Sequence, residues 1–297
     1  MDFNEFTDKV VELLKQKVGD TSSVMVTETL KNNGVRLKGI VIMEDGRNVS
    51  PTVYLEEPYQ QYQDGVSLEE ILEEIIAVYE KHAHDLQLNM DFFRDFSQVK
   101  DRIFHKVISY EKNEELLKDV PFFKWHDLAV VFYYEVEKEI FEKATILIRN
   151  SHLDMWGQPA EEIYRIARQN MKEKMPELLM PMQKVLEEMA GISVGESGMH
   201  LYVLTNKERM FGASAMLYSE EIKGLADKLH TDLLILPSSV HETLLLPDDH
   251  VREYDLYRKM VREVNTTQVD PEEILSFSLY RYNREKDEIE EIEKTAV

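Results

Sequence analysis

Two serines, a histidine and a glutamate fall within five residues in the stretch Pro237-Ser-Ser-Val-His-Glu242. Hydrolysis through a serine needs a base to take the hydroxyl proton and a carboxylate to orient that base. Ser238, Ser239, His241 and Glu242, with Asn206 as a polar partner from another segment, are therefore the catalytic candidates of a hydrolase-type reading. The spacing argues against them as they stand. In an extended chain Ser239 and His241 share a face about 7 Å apart at Cα, too far for a hydrogen bond unless the chain bends. The Gly-x-Ser-x-Gly turn that exposes a nucleophile elsewhere is absent. The competing reading is a hairpin turn whose proline, serines and glutamate satisfy nearby backbone groups, and it is the preferred one.

Other chemistry-bearing residues are more scattered. His82 and His84 precede Asp85, and His126 precedes Asp127, but no His-Glu-x-x-His or other completed ligand set follows, so no metal site is expected. Asn150-Ser-His-Leu-Asp154 with Trp156 gathers amide, imidazole, carboxylate and indole groups. That chemistry suits a small polar ligand, although an imidazole capping backbone groups is the commoner arrangement. Tyr54, Tyr59 and Tyr62 lie in or beside a polar stretch, where they would form either a partner-binding surface or packing against a sheet. Asn150, His152 and Trp156 with the three tyrosines make up the binding candidates. Glycine-rich phosphate loops are missing, so no cofactor is expected.

These residues need elements to hold them. Phe3, Phe6, Val10, Leu14 and Val18 form one helical face that Gly19 stops. Val24–Leu30 and Val35–Met43 read as two strands around the Lys31-Asn-Asn-Gly34 turn, with Gly39 as a bulge, and Pro51–Leu55 as a third. Ser67-Leu-Glu-Glu70 is a capping box ahead of a helix whose stripe is Leu68, Ile71, Leu72, Ile75, Val78 and Tyr79. A helix over 90–104 follows, then strands at 102–110, 128–134 and 144–148.

Strand, aromatic loop and capped helix recur at nearly one spacing. Thr52 precedes Glu69-Glu70-Ile71 much as Thr145 precedes Glu161-Glu162-Ile163. Beyond a glycine-rich stretch at 191–198, His200–Leu204 and Gly212–Tyr218 read as one hairpin, and Leu233–Pro247 as another. The expectation is an α+β fold of repeated βββα-like units, with mixed or antiparallel sheets and helices on one face. Its units are 1–100, 101–190 as a duplicate of the first, and 191–297.

The composition limits the partners. Net charge is −22, divided as −9, −5 and −8 among 1–100, 101–200 and 201–297. Evenly spread acidity repels nucleic acid and anionic membrane. It suits a solvated surface, a basic protein partner or, less directly, a mimic of nucleic acid. The chain has no cysteine, which excludes disulfides and thiolate chemistry and fits a reducing, cytoplasmic setting. No apolar run reaches the length of a membrane span.

Several motifs carry a resemblance. They are Lys31-Asn-Asn-Gly34-Val35, Asn48-x-Ser50-Pro51-Thr52-x-Tyr54-Leu55, Asp91-Phe-Phe-x-Asp95-Phe96, Asp127-Leu-Ala-x-Val-Phe132-Tyr133, Ala144-Thr-Ile-Leu-Ile148, Leu201-Tyr-Val-Leu-Thr205-Asn206, Ile235-Leu-Pro-Ser-Ser-Val-His-Glu242 and Met260-Val-Arg-Glu-Val-Asn265. Together they resemble an uncharacterised domain-of-unknown-function family common in clostridial gut bacteria. The resemblance implies a bacterial cytoplasmic origin and supplies no catalytic residues. Around Asn170–Pro176 the chain departs from the family's Asn-Thr-Pro run. The function expected first is a non-catalytic protein-interaction or ligand-binding protein. A hydrolase centred on Ser239 and His241, and an acidic nucleic-acid mimic, are the alternatives.

Overall fold

The structure is a computed structural model of the chain. It describes residues 1–18, 22–45, 50–83, 93–136, 144–191, 200–218, 220–237, 239–248 and 254–292; the side chains of 82, 83 and 190 are outside that description. Ser238, the His82–Asp85 group beyond its backbone start, and most of the glycine-rich stretch at 191–198 therefore lie outside the described residues. The described residues fall into two compact units, one within Met1–Arg94 and one comprising Asp95–Val136 and Lys143–Val297.

The first unit is built on one sheet. Helix α1 (Phe3–Lys17) starts at Asp2, whose carboxylate accepts from the Asn4 and Glu5 amides while the Glu5 side chain accepts from the Asp2 amide. Strands β1 (Ser22–Leu30) and β2 (Arg36–Glu44) pair antiparallel, and β3 (Thr52–Tyr54) joins the other edge of β2. The turn between β1 and β2 places Asn33 and Gly34 at φ of 60° and 72°, the left-handed conformation that Asn-Gly tolerates best. Pairing runs through Gly39 without a bulge: Gly39 faces Thr27 and Tyr54 in register. Its lack of a side chain has another cause, since a Cβ there would sit 2.3 Å from the Thr52 methyl.

Residues 56–63, expected as a loop, form a two-turn helix, α2 (Glu56–Gln63), and α3 (Leu68–Ala83) follows. Ser67 and Glu70 cap α3 reciprocally. Phe6, Val10 and Leu14 of α1, Ile71, Leu72 and Ile75 of α3, and Ile40 and Ile42 of β2 make one apolar core. Each such side chain stabilises by about 1.5–3 kcal/mol when fully buried.

The second unit holds two antiparallel sheets. Of the helix expected over 90–104, residues 90–92 lie outside the described residues; 93–94 are helical, Asp95 interrupts, and a single turn, α4 (Phe96–Val99), runs into a 3-10 turn at Lys100–Arg102 before β4 begins at Ile103. β4 (Ile103–Ser109) pairs along one edge of β6 (Leu128–Glu135), while β5 (Phe122–Trp125) and β7 (Thr145–Leu147) share the other. Helices α5 (Asn150–Trp156) and α6 (Ala160–Lys174) follow, and α6 packs on β4. After Met175-Pro176 come β8 (Glu177–Pro181), α7 (Met182–Ala190) and β9 (Tyr202–Asn206).

Gly212–Leu217, expected as a strand, is a 3-10 segment. It is reached through left-handed Arg209 and Phe211, which break any pairing with β9. Then come α8 (Glu220–Leu229), β10 (Leu233–Leu236), β11 (Thr243–Pro247), α9 (Tyr254–Thr267), β12 (Tyr280–Asn283) and β13 (Glu288–Glu291). The larger sheet has the order β13-β12-β10-β11-β9-β8. Leu128 and Val130 of the first sheet meet Leu204, Leu233, Ile235 and Leu245 of the second, with Ile222 and Leu225 of α8, in one core. The class is α+β, and every strand pair among the described residues is antiparallel.

Candidate functional site

The 237–242 elbow is the connection between β10 and β11, whose pairing closes at Leu236 opposite Leu244. Ser239 is buried and bridges to Ile274. Its Oγ accepts from the His241 backbone amide at 3.0 Å. The His241 imidazole faces elsewhere: Nδ1 accepts from the Phe211 amide at 3.2 Å, and Nε2 lies 3.3 Å from a Glu273 carboxylate oxygen. With Nδ1 as acceptor, the neutral ring carries its proton on Nε2, toward Glu273.

Phe211 stacks on the same imidazole, 5.5 Å between centroids. Thr205 donates to the His241 carbonyl at 2.8 Å. Asn206 closes the next turn, donating to the Met210 carbonyl at 2.8 Å and accepting from the Met210 amide at 3.3 Å. Burial pushes the Glu242 carboxyl up, and the nearby Glu273 charge adds to this, while His241 and Arg209 act the other way. The structure thus brings Ser239, His241 and Asn206 together as a hydrogen-bonded set of turns, with both imidazole nitrogens directed away from the serine hydroxyl.

The binding candidates fall in three separate places. Tyr59 and Tyr62 pack on α1, with Tyr59 5.1 Å from Phe3 and Tyr62 5.4 Å from Phe6. Tyr54 lies on the sheet with the Lys31 ammonium 4.6 Å over its ring. Asn150, His152 and Trp156 belong to α5. There His152 Nδ1 accepts from the Arg149 amide at 3.1 Å, and its ring lies 5.7 Å from Trp156. His126 occupies the two-residue turn between β5 and β6 at φ 50°, and Asp127 accepts from the hydroxyls of Ser276 and Tyr280. Among the described residues no group of three or more His, Asp or Glu is placed to hold a metal ion.

A different set of residues surrounds a cavity of about 340 Å³ in the second unit. Arg168, Met171 and Lys172 come from α6, Met175 and Pro176 from the link after it, Glu177 from β8, Tyr218 from the end of the 3-10 segment, and Glu220 and Glu221 from α8. Amphipathic α6 explains the first three. Ile163, Ile166, Ala167 and Asn170 are buried beneath the helix, and the adjoining stripe at 168, 171, 172 and 175 faces the cavity. Met171 and Met175 are 2% and 4% exposed and form the apolar floor. Arg168, Lys172, Glu220 and Glu221 are exposed at the rim.

Glu177 is the unusual member. Burial pushes its carboxyl up to about 7; Glu221 and Glu220 reinforce this by repulsion, against the Glu221 amide hydrogen bond and the Lys172 charge. One of its oxygens, Oε2, is buried with no hydrogen-bond partner, and such an acceptor costs free energy until something donates to it.

Behind Tyr218 lies His105, fully buried on β4. Its Nε2 is 2.5 Å from the Tyr218 hydroxyl, and its Nδ1 has no partner. Burial, with the Arg168 charge, depresses His105 to about 3, so the ring is neutral. In the Tyr218 contact the tyrosine hydroxyl donates to Nε2 when the ring proton is on Nδ1 and accepts from Nε2 when the proton is there. Burial raises Tyr218 well above the ordinary phenol range, and Arg168 lies 5.6 Å over its ring.

The cavity as a whole does not stand out in the sequence, because its polar residues come from four segments between 168 and 221. The one readable signal is the arginine and lysine spaced among methionines on a single face of α6.

No curated protein and no solved structure matches this chain. Residues 3–284 match a family described only as a family of unknown function, DUF5688, and the chain belongs to it.

Proposed function

We propose that this chain is a non-catalytic ligand-binding protein, and that its ligand occupies the cavity among α6, β8 and α8. The observation that supports this reading is a cavity of about 340 Å³ with Met171 and Met175 as its apolar floor, lined also by the Glu177 carboxyl, which burial pushes up to about 7. Apolar walls with a few convergent polar groups and a displaced pKa are the general marks of a binding pocket. Catalysis at the elbow draws no comparable support, since the imidazole of His241 is held by Phe211 and Glu273.

A thermal-unfolding screen of small polar molecules tests the reading. A ligand at a hundredfold its Kd adds about 2.7 kcal/mol, which raises Tm by several degrees in a protein of this size. The expected result is at least one such compound whose effect disappears in Met171→Trp, which fills the floor, and persists in Met171→Leu, which keeps its volume. Shifts that survive Met171→Trp undiminished, or no shift from any compound, contradict the reading.

A further inference from the structure

The cavity's charges are segregated by element. Both cations, Arg168 and Lys172, project from successive turns of α6. The acids, Glu177, Glu220 and Glu221, come from β8 and α8. The floor contributed by Met171 and Met175, with Pro176, is apolar. The direct link between the two charged sides is loose: Lys172 and Glu220 are 3.6 Å apart with side chains 77% and 83% exposed, an ion pair of little strength in water. The volume of about 340 Å³ is at the small end of the ~300–1,000 Å³ range of ligand pockets, which suits a small ligand.

We propose that the ligand is a small zwitterion, an ammonium and a carboxylate on one short backbone with a single apolar arm, the chemistry of a free hydrophobic amino acid. The inference rests on the ligand-binding reading of the same cavity. The ammonium is placed beside the Glu177 carboxyl, in the field of Glu220 and Glu221. The carboxylate lies toward Arg168 and Lys172, on the side where Tyr218 lines the cavity. The arm rests on Met171 and Met175. A purely anionic ligand would face the acids Glu177, Glu220 and Glu221 with no positive group to set against them. A purely cationic one would leave the α6 pair unused and would lie against Arg168.

Isothermal titration calorimetry on the full chain at pH 7 and low salt distinguishes these cases. The probes are L-leucine, N-acetyl-L-leucine, which lacks the ammonium, isoamylamine, which lacks the carboxylate, and glycine, which lacks the arm. L-leucine is expected to bind, and each of the other three at least about tenfold more weakly. In Glu177→Gln the preference for leucine over its acetylated form should fall by about tenfold, and in Arg168→Gln its preference over isoamylamine should fall similarly.

Proton linkage gives a second readout that a merely structural Glu177 would not produce. An ammonium beside a carboxyl near half-protonation lowers its pKa, so leucine should release up to about half a proton at pH 7, seen as a buffer-dependent binding enthalpy. Glu177→Gln should abolish that release. N-acetyl-L-leucine binding as tightly as leucine, or no binding by leucine while other compounds in the thermal screen occupy the cavity, overturns the zwitterion and leaves the binding reading standing. No binding by any probe together with an empty thermal screen overturns both.

Discussion

At the scale of single residues, Glu177 sets the behaviour of the cavity. Its carboxyl titrates near 7 because of burial first and the charges of Glu221 and Glu220 next, with Arg168 and Lys172 facing it from α6. A carboxyl whose folded pKa lies above its unfolded value binds more protons folded than unfolded. Its contribution is therefore present at low pH and is lost as pH rises from about 4.5 to about 7. Glu177→Gln should remove this fall. The difference from the parent, read by urea unfolding at pH 5 and pH 8, should be of order 1 kcal/mol once solvent screening of a half-exposed group is allowed for. A parent whose stability has the same slope as Glu177→Gln across that interval would contradict the assignment.

Ser239 gives the complementary case. Its Oγ holds the His241 amide, so Ser239→Ala should cost about 1 kcal/mol of stability and leave the leucine affinity unchanged. A loss of affinity without a loss of stability would move the site to the elbow.

The elbow was legible from sequence as a turn, because Pro, Ser and Glu between two apolar runs carry a local signal. The cavity was not. Arg168, Glu177 and Tyr218 converge only when β8 pairs with β9 and the 3-10 segment folds back, and no spacing rule reports that. His105 reads in the sequence as one more residue of a strand; its burial against Tyr218 comes from packing.

At the scale of elements, the 3-10 segment Gly212–Leu217 joins the elbow to the cavity. Phe211 at its start stacks on His241, and Tyr218 at its end lines the cavity. Gly212 makes that path possible. A Cβ there would fall 2.1 Å from Thr205 Oγ1, 2.6 Å from the Asn206 amide nitrogen and 2.7 Å from the His241 carbonyl oxygen. Two of those atoms are backbone and cannot rotate away. Gly212→Ala should therefore destabilise the second unit by about 2–3 kcal/mol, measured by chemical unfolding, and weaken ligand binding with it. A neutral effect would contradict the close packing of the segment against Thr205, Asn206 and His241.

The small and apolar run Gly212–Tyr218 misleads as a strand, since Gly212 through Met216 are all buried and a fully buried segment loses the contrast that separates strand from helix. Local chemistry that does not depend on distant partners read correctly: the Asn-Gly turn after β1 and the Ser67–Glu70 capping box are both present. Glu56–Gln63 read as loop because its polarity hid the turn of helix that Tyr59 and Tyr62 anchor on α1.

At the scale of the whole molecule, −22 charges on 297 residues repel one another in the folded state. Moderate salt shortens the range of that repulsion to about 8–10 Å. Tm should therefore rise between very low and physiological ionic strength, followed by calorimetry; a steady fall would mean that attractive pairs dominate. The same screening should weaken leucine binding, since both ends of the zwitterion are held by charge. Among the described residues no helix is long and apolar enough to cross a membrane.

The central claim is occupancy of one cavity, and diffraction from crystals soaked with L-leucine tests it most directly. Density for the ligand on the floor of Met171 and Met175, with its nitrogen beside the Glu177 carboxyl and its carboxylate toward Arg168, is the predicted result. An empty cavity at a ligand concentration that saturates the protein in solution, or leucine bound against the His241 elbow instead, would contradict it.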